Sequence, residues 1–301
     1  MKKRNLLILA CGALLAGATL TACSSNQSKV GIGIDQAKTV GFMQLANENK
    51  ERIWFDVTDS NSDGEISKDD TITDIYIIKS GKMFIYNVPN LELKDIKDKN
   101  EAEIKKLAYE EDEKYFEENL KAAIERWEYK VSSAQSGLEE WQRPESIQAM
   151  REDPSLIWHQ FPDLEVSNVD ELLVKLAEEV ENRKNVLEKY KNLNYSDYSK
   201  LNMGKDIKAI VETDSSGNNV VSEKFDVYLI DSNVYLDRLD DSTSELQTYT
   251  IVLKNQVSGE IFDKFYTGYS FSRDSFLITS SLDKNVTLGF DTLDTKNVTE
   301  E

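Results

Sequence analysis

Cysteine and histidine are almost absent from this chain, and their scarcity limits the chemistry it can perform. The 301 residues contain two cysteines and one histidine, His159. A single histidine cannot form a multi-histidine zinc site, and no serine lies in the G-x-S-x-G motif of hydrolases. The glycine motifs that bind dinucleotides or phosphates are missing as well. We therefore assign no catalytic residue and expect no nucleotide ligand.

Long hydrophobic runs are also missing, apart from one near the N-terminus. Residues 2–4 are basic, and residues 6–20 are almost entirely apolar. That run is shorter than the ~20 residues that a transmembrane helix needs, and it fits the apolar core of a cleavable signal peptide. Residues 1–22 are therefore predicted to be removed, which discards Cys11.

The second cysteine, Cys23, directly follows the predicted cleavage point. Leu20-Thr21-Ala22-Cys23 resembles the lipobox of bacterial lipoproteins, although a chance cysteine beside an ordinary cleavage site is the alternative. The resemblance implies a diacylglycerol on the Cys23 sulfur and a lipid-anchored protein on the extracytoplasmic face of the cell membrane. Each buried CH₂ contributes ~0.8 kcal/mol, so two or more chains anchor durably. Residues 23–35 would be the lipidated cysteine and a flexible spacer.

Positive charge is scarce compared with negative charge. The chain has 36 Lys and Arg against 55 Asp and Glu, a formal net charge of −19. Such a surface repels nucleic acid and anionic headgroups, so a nucleic-acid role is not expected. Cationic partners are favoured: Ca²⁺, a basic peptide or a basic protein face. Solubility alone is the other explanation for the acidic balance.

The order of patterns predicts an α+β fold with strands at both ends and helices in the middle. Residues 36–90 contain strand-like runs around the turn Ser80-Gly81, which predicts a small antiparallel β-sheet. Residues 205–294 alternate with period two around turns at Asp214–Asn218 and Ser258-Gly259, which predicts an antiparallel β-sheet or small sandwich. Residues 295–301 are expected to be a polar tail.

The middle of the chain, residues 91–204, has helical spacing. Asn100 and Glu103 can cap the first helix, and a second helix is predicted from about Val169 to Lys191. Their apolar stripes need partners, so we expect an antiparallel helical hairpin, and a coiled coil is one form it can take. The connection between the helices holds Trp141, Trp158 and Phe161. It is predicted to be either a functional tip or a short extra helix with aromatic plugs.

One internal segment suggests an ion site. Residues 59–70 are similar to the 12-residue Ca²⁺ loop of EF-hand and dockerin-type modules. That resemblance covers only the loop, since the flanks predict strands, and a plain acidic connection is the alternative. It implies a turn at Gly64 and oxygen ligands from Asp59, Asn61, Asp63, Glu65 and Asp70.

Three classes of function stay open. The first is a non-enzymatic surface lipoprotein that binds a protein, basic peptide or wall component through the hairpin or the C-terminal sheet. Trp141, Trp158 and Phe161 are then the first contact candidates. The second is a solute-binding lipoprotein of a transporter, and the third is an enzyme acting on the cell wall. The β-hairpin followed by an acidic helix resembles uncharacterised Gram-positive lipoproteins, which implies no activity.

Overall fold

The computed structural model describes residues 38–202, 204–217, 219–228, 232–237, 248–280 and 282–301. In these ranges the strands are β1 (Lys38–Gly41), β2 (Arg52–Thr58), β3 (Thr71–Lys79), β4 (Lys82–Glu92), β5 (Lys205–Asp206), β6 (Ala209–Thr213), β7 (Val220–Tyr228), β8 (Thr248–Leu253), β9 (Gln256–Ile261), β10 (Lys264–Ser270), β11 (Ser275–Thr279), β12 (Val286–Gly289) and β13 (Val298–Glu300). The α-helices are α1 (Phe42–Ala46), α2 (Glu101–Trp141), α3 (Pro144–Glu152), α4 (Ser155–Gln160), α5 (Val169–Lys191), α6 (Tyr195–Ser199) and α7 (Ser232–Asp237). Short 3₁₀ helices cover Leu93–Ile96 and Lys200–Asn202.

Most strands belong to two sheets, so the predicted α+β class is confirmed. The larger sheet is antiparallel and has the order β5-β4-β3-β2-β11-β10-β9. The smaller sheet has the order β13-β6-β7-β8, and β1 pairs with β12 as a separate parallel pair. The large sheet joins strands from both ends of the chain, because β2 pairs with β11 with Val57 opposite Phe276.

Both faces of the large sheet are covered, which explains the continuous apolar run in β2. One face packs against the small sheet and α1, where Phe42 stacks on Phe225 at 4.5 Å and meets Trp54 edge-on at 5.3 Å. The opposite face packs against the start of α2 through Ile104 and Ala108. A strand buried on both faces needs apolar residues at successive positions rather than at alternate ones.

Helices α2 and α5 form the predicted antiparallel hairpin. Asn100 caps α2 by accepting hydrogen bonds from Ala102 N and Glu103 N, and the Glu103 carboxylate accepts one from Asn100 N in return. The 41 residues of α2 correspond to about 60 Å at ~1.5 Å per residue. The Trp127 ring lies 6.0 Å from that of Tyr190 on α5.

We call residues 117–191 the helical arm, and residues 141–172 the arm tip. Near the sheets, the arm-base cluster is formed by Phe116, Ala123, Tyr190, Tyr195, Tyr198 and Leu236. At the other end the tip has a separate apolar core, formed by Met150, Ile157, Val166, Val169 and Leu172. The connection therefore contains two extra helices, α3 and α4, around its own core.

Two turns are as predicted. Ser80 and Gly81 both have positive φ values, 53° and 76°, as a two-residue type I′ hairpin requires. In the second turn, Gly217 has φ 69° and donates a 2.8 Å hydrogen bond to Asp214 O. Asn218, the last residue of that predicted turn, lies outside the described residues.

Two local predictions are wrong. Ser258-Gly259 is not a turn but part of β9, and the turn to β10 is made by Phe262 and Asp263 at φ 50° and 61°. A Cβ at Gly259 would lie 3.4 Å from Ile66 Cβ, an ordinary packing distance, so this glycine sits in the strand without forming a turn. Residues 295–301 are not simply a polar tail, since β13 pairs in parallel with β6 and buries Val298.

Among the helices that the structure describes, none is long and apolar enough to cross a membrane.

Candidate functional site

The predicted lipidation site, Cys23, lies outside the described residues, as does the rest of residues 1–37, which includes the predicted signal peptide and the spacer that ends at residue 35. Lipidation therefore stays a prediction. The other two predicted sites, the acidic loop and the arm tip, can be placed in the fold.

The acidic loop, residues 59–70, connects β2 to β3 and is held at its first residue by a buried carboxylate. Asp59 is 3% exposed. Its Oδ1 accepts hydrogen bonds from Asn61 N at 3.0 Å and Ser62 N at 2.8 Å, and its Oδ2 accepts one from Gly64 N at 2.7 Å. Gly64 has φ 82°, the left-handed conformation that the sequence motif requires.

The last residue of the loop, Asp70, closes it in the same way. Its carboxylate is fully buried and accepts hydrogen bonds from Ser60 N (3.2 Å), Ser67 N (2.7 Å) and Ser67 Oγ (2.8 Å). Donors within the loop itself supply the hydrogen bonds that the Asp59 and Asp70 carboxylates accept. Asp59 and Asp70 therefore hold the loop in its conformation through hydrogen bonds within the loop.

The other three predicted ligands do not join these two. Asn61, Asp63 and Glu65 are exposed, and the Asp63 carboxylate accepts a hydrogen bond from Glu65 N at 2.9 Å. Within the described ranges, no group of three or more His, Cys, Asp or Glu side chains is arranged to hold a metal ion. Calcium binding stays a prediction, and the geometry assigns Asp59 and Asp70 a structural role.

The three aromatic residues predicted as partner contacts have different environments at the arm tip. Trp141 and Phe161 are half-buried and pack edge-to-face at 5.3 Å against the tip core. Trp158 is 68% exposed. Two of the three therefore support the tip, and Trp158 is the one presented to solvent. His159 is exposed beside it.

The chain segment that contains Trp158 is acidic. Residues 152–165 contain four carboxylates and no lysine or arginine, and all four are exposed: Glu152, Asp153, Asp163 and Glu165. Hydrogen bonds from Ser155 Oγ and Ser155 N lower the pKa of Asp153, which keeps it charged. Arg151, just before this segment, lies 3.1 Å from Asp170.

Three buried carboxyl clusters were not predicted from the sequence. The first joins the two sheets: Tyr76 OH donates to Asp56 Oδ2 at 2.9 Å and lies 2.5 Å from Tyr249 OH. Burial raises the pKa of Asp56 to about 6, although the Tyr76 hydrogen bond opposes the shift. The available signal was a carboxylate inside the apolar run Ile53–Val57.

The second cluster fixes the base of the arm to strand β4 of the large sheet. Asp112 on α2 is 2% exposed and accepts hydrogen bonds from Asn87 N on β4 at 3.0 Å and Tyr195 OH at 2.7 Å. The Asn87 side chain accepts one from Tyr198 OH at 3.1 Å. Burial and the neighbouring Asp112 raise the pKa of Tyr195, so its hydroxyl remains a donor.

The third cluster joins β7 to the start of α1. Asp291 is fully buried, and its carboxylate accepts hydrogen bonds from Met43 N and Gln44 N. Asp291 N donates to Glu223 Oε2 at 2.8 Å. Burial and the nearby Asp291 raise the pKa of Glu223 to about 9, so Glu223 is neutral at pH 7.

Comparisons with known proteins give no relative: no protein-family model, no curated protein and no solved structure matches this chain.

Proposed function

We propose that this protein is a lipid-anchored extracytoplasmic binding protein that contacts a macromolecular partner through its arm tip. The proposal assigns it no catalytic step. The observation that carries it is the exposure of Trp158, 68%, on a tip that has its own apolar core. Tryptophan is enriched among the residues that dominate binding energy at protein interfaces.

The construction of the tip supports this role. Trp141 and Phe161 pack in the tip core and hold α4 in place, so the Trp158 backbone is fixed before any partner arrives. A pre-ordered contact surface loses less conformational entropy on binding. The part of α2 that belongs to the arm, residues 117–141, is about 38 Å long at ~1.5 Å per residue, and it separates this surface from the sheets.

The lipid anchor would determine where the arm tip meets its partner. A diacylglycerol on Cys23, followed by the polar spacer, would hold the folded body at the outer surface of the membrane. Cys23→Ala should then move the protein from the membrane fraction to the culture medium or a soluble fraction. Retention of Cys23→Ala in the membrane fraction would contradict the anchoring part of the proposal.

Cross-linking on intact cells tests the tip. The full-length protein, Trp158→Ala and Tyr129→Ala are compared, because Tyr129 is a still more exposed aromatic on the same arm, at 75%. We expect Trp158→Ala to lose the cross-linked product and Tyr129→Ala to keep it. Equal cross-linking by both variants and the unsubstituted protein would show that the contact surface lies elsewhere.

A further inference from the structure

Residues 152–165 of the arm tip combine an exposed apolar side chain, Trp158, with four carboxylates and no lysine or arginine. Trp158 lies on α4, between Asp153 at its start and Asp163 just after its end. All four carboxylates of residues 152–165 are exposed, and the segment has no lysine or arginine to neutralise them. Tyr129, by contrast, is flanked in sequence by Glu128 and Lys130.

We infer that the partner is a protein surface that offers an apolar pocket for the Trp158 indole, with lysine or arginine side chains at its rim. This inference rests on the proposed function and adds the chemistry of the partner. Charge complementarity selects a basic surface, because an acidic one would bring like charges together. An uncharged rim would leave the four carboxylates partly desolvated without compensation.

The Trp158 indole and the four carboxylates should affect partner binding in different ways. The indole supplies the buried anchor, so its removal should weaken binding at every salt concentration. The carboxylates act over about 8–10 Å at ionic strengths near 0.1–0.15 M. Their neutralisation should therefore slow association and reduce the salt dependence of the affinity.

Three synthetic peptides test this chemistry with the full-length protein in lipid nanodiscs. The first is an amphipathic helical peptide of leucine and lysine, the second replaces lysine by glutamate, and the third is oligolysine. Binding is measured by fluorescence anisotropy of the labelled peptides. Emission of the protein's own tryptophans reports burial of the indole, because Trp158 is the most exposed of the four.

We expect the leucine–lysine peptide to bind and to shift the emission to shorter wavelength, and the leucine–glutamate peptide not to bind. Trp158→Ala should lower the affinity for the leucine–lysine peptide at least about tenfold, while Tyr129→Ala should change that affinity less than about twofold. Oligolysine should bind Trp158→Ala as it binds the unsubstituted protein. The pair Asp163→Asn and Glu165→Gln should reduce the salt dependence, unlike Glu117→Gln with Glu118→Gln on α2.

Equal loss from Trp158→Ala and Tyr129→Ala, or equal binding of the glutamate peptide, would overturn the inference. The two experiments together distinguish an error in the partner chemistry from an error in the proposed function. If cross-linking on cells depends on Trp158 but the peptides do not discriminate, only the partner chemistry is wrong. If neither experiment depends on Trp158, the tip is not the contact surface.

Discussion

Both ends of the helical arm have an apolar cluster, but the base adds buried polar contacts that link it to the large sheet. At the base, Asp112 bonds to the backbone of β4 and to Tyr195, and Tyr198 bonds to Asn87, all in buried surroundings. At the tip, Trp141 and Phe161 close an apolar core, and Trp158 projects into solvent. Buried polar contacts require specific geometry, whereas apolar packing tolerates variation. The base thus sets the direction of the arm, and the tip provides the surface.

The largest effect should come from breaking the base. Asp112→Ala leaves Asn87 N and the Tyr195 hydroxyl buried without their acceptor, which we expect to lower the free energy of unfolding by about 3 kcal/mol. Denaturant titration measures this change, with the exposed Glu118→Ala as control at less than about 0.5 kcal/mol. Equal stability of Asp112→Ala and Glu118→Ala would show that the base contacts do not hold the arm.

The tip core should give a somewhat smaller and more local effect. Trp141→Ala removes a half-buried indole that packs on Phe161, at an expected cost of about 2 kcal/mol. Hydrogen exchange should become faster within residues 141–172 while exchange in β2 and β3 is unchanged. Faster exchange throughout the chain would mean that the tip does not form a separate packing unit.

The stability of the sheet region can be tested independently of the arm by substituting Glu223. Its pKa is about 9 in the fold against 4.5 ordinarily. Its stabilising contribution is therefore complete below pH 4.5 and is lost as pH rises towards 9. Glu223→Gln mimics the neutral acid, so its stability advantage over the unsubstituted protein should grow by about 2 kcal/mol between pH 5 and pH 6.5.

Thermal unfolding at several pH values measures this advantage, with the exposed Glu212→Gln on β6 as the matched control. Hydrogen exchange at the arm tip should not depend on this substitution. A constant difference between Glu223→Gln and the unsubstituted protein across the pH range would contradict the neutral state of the buried acid.

Trp158→Ala should have the smallest effect on folding. The side chain is mostly exposed, so its removal should change the free energy of unfolding by less than about 0.5 kcal/mol, in contrast to Trp141→Ala. The same denaturant titration checks it. A loss comparable to that of Trp141→Ala would make Trp158 part of the tip core, and its exposure would then carry no functional meaning.

Features set by neighbouring residues in the sequence were predictable. The Asn100–Glu103 cap, helix α5 from Val169 to Lys191 and the Ser80-Gly81 turn all depend on contacts a few residues apart. The pairing of β2 with β11 joins residues more than two hundred positions apart, and no local pattern specifies it.

The burial of these carboxylic acids could not be predicted from the sequence for a similar reason. Asp112 lies in the acidic run from Glu110 to Glu113, where a solvated helix face was the expected interpretation. Only the approach of β4 and Tyr195 distinguishes Asp112 from its neighbours. At the tip, composition identified three aromatic residues, but only the packing separates exposed Trp158 from Trp141 and Phe161.

The location of the contact surface can be measured directly by hydrogen exchange of the full-length protein with and without the bound leucine–lysine peptide. The account predicts slower exchange within residues 152–165 and no change at the arm base, around Asp112 and Tyr195. Slower exchange at the edge strand β9 or on the small sheet, with the tip unaffected, would contradict it.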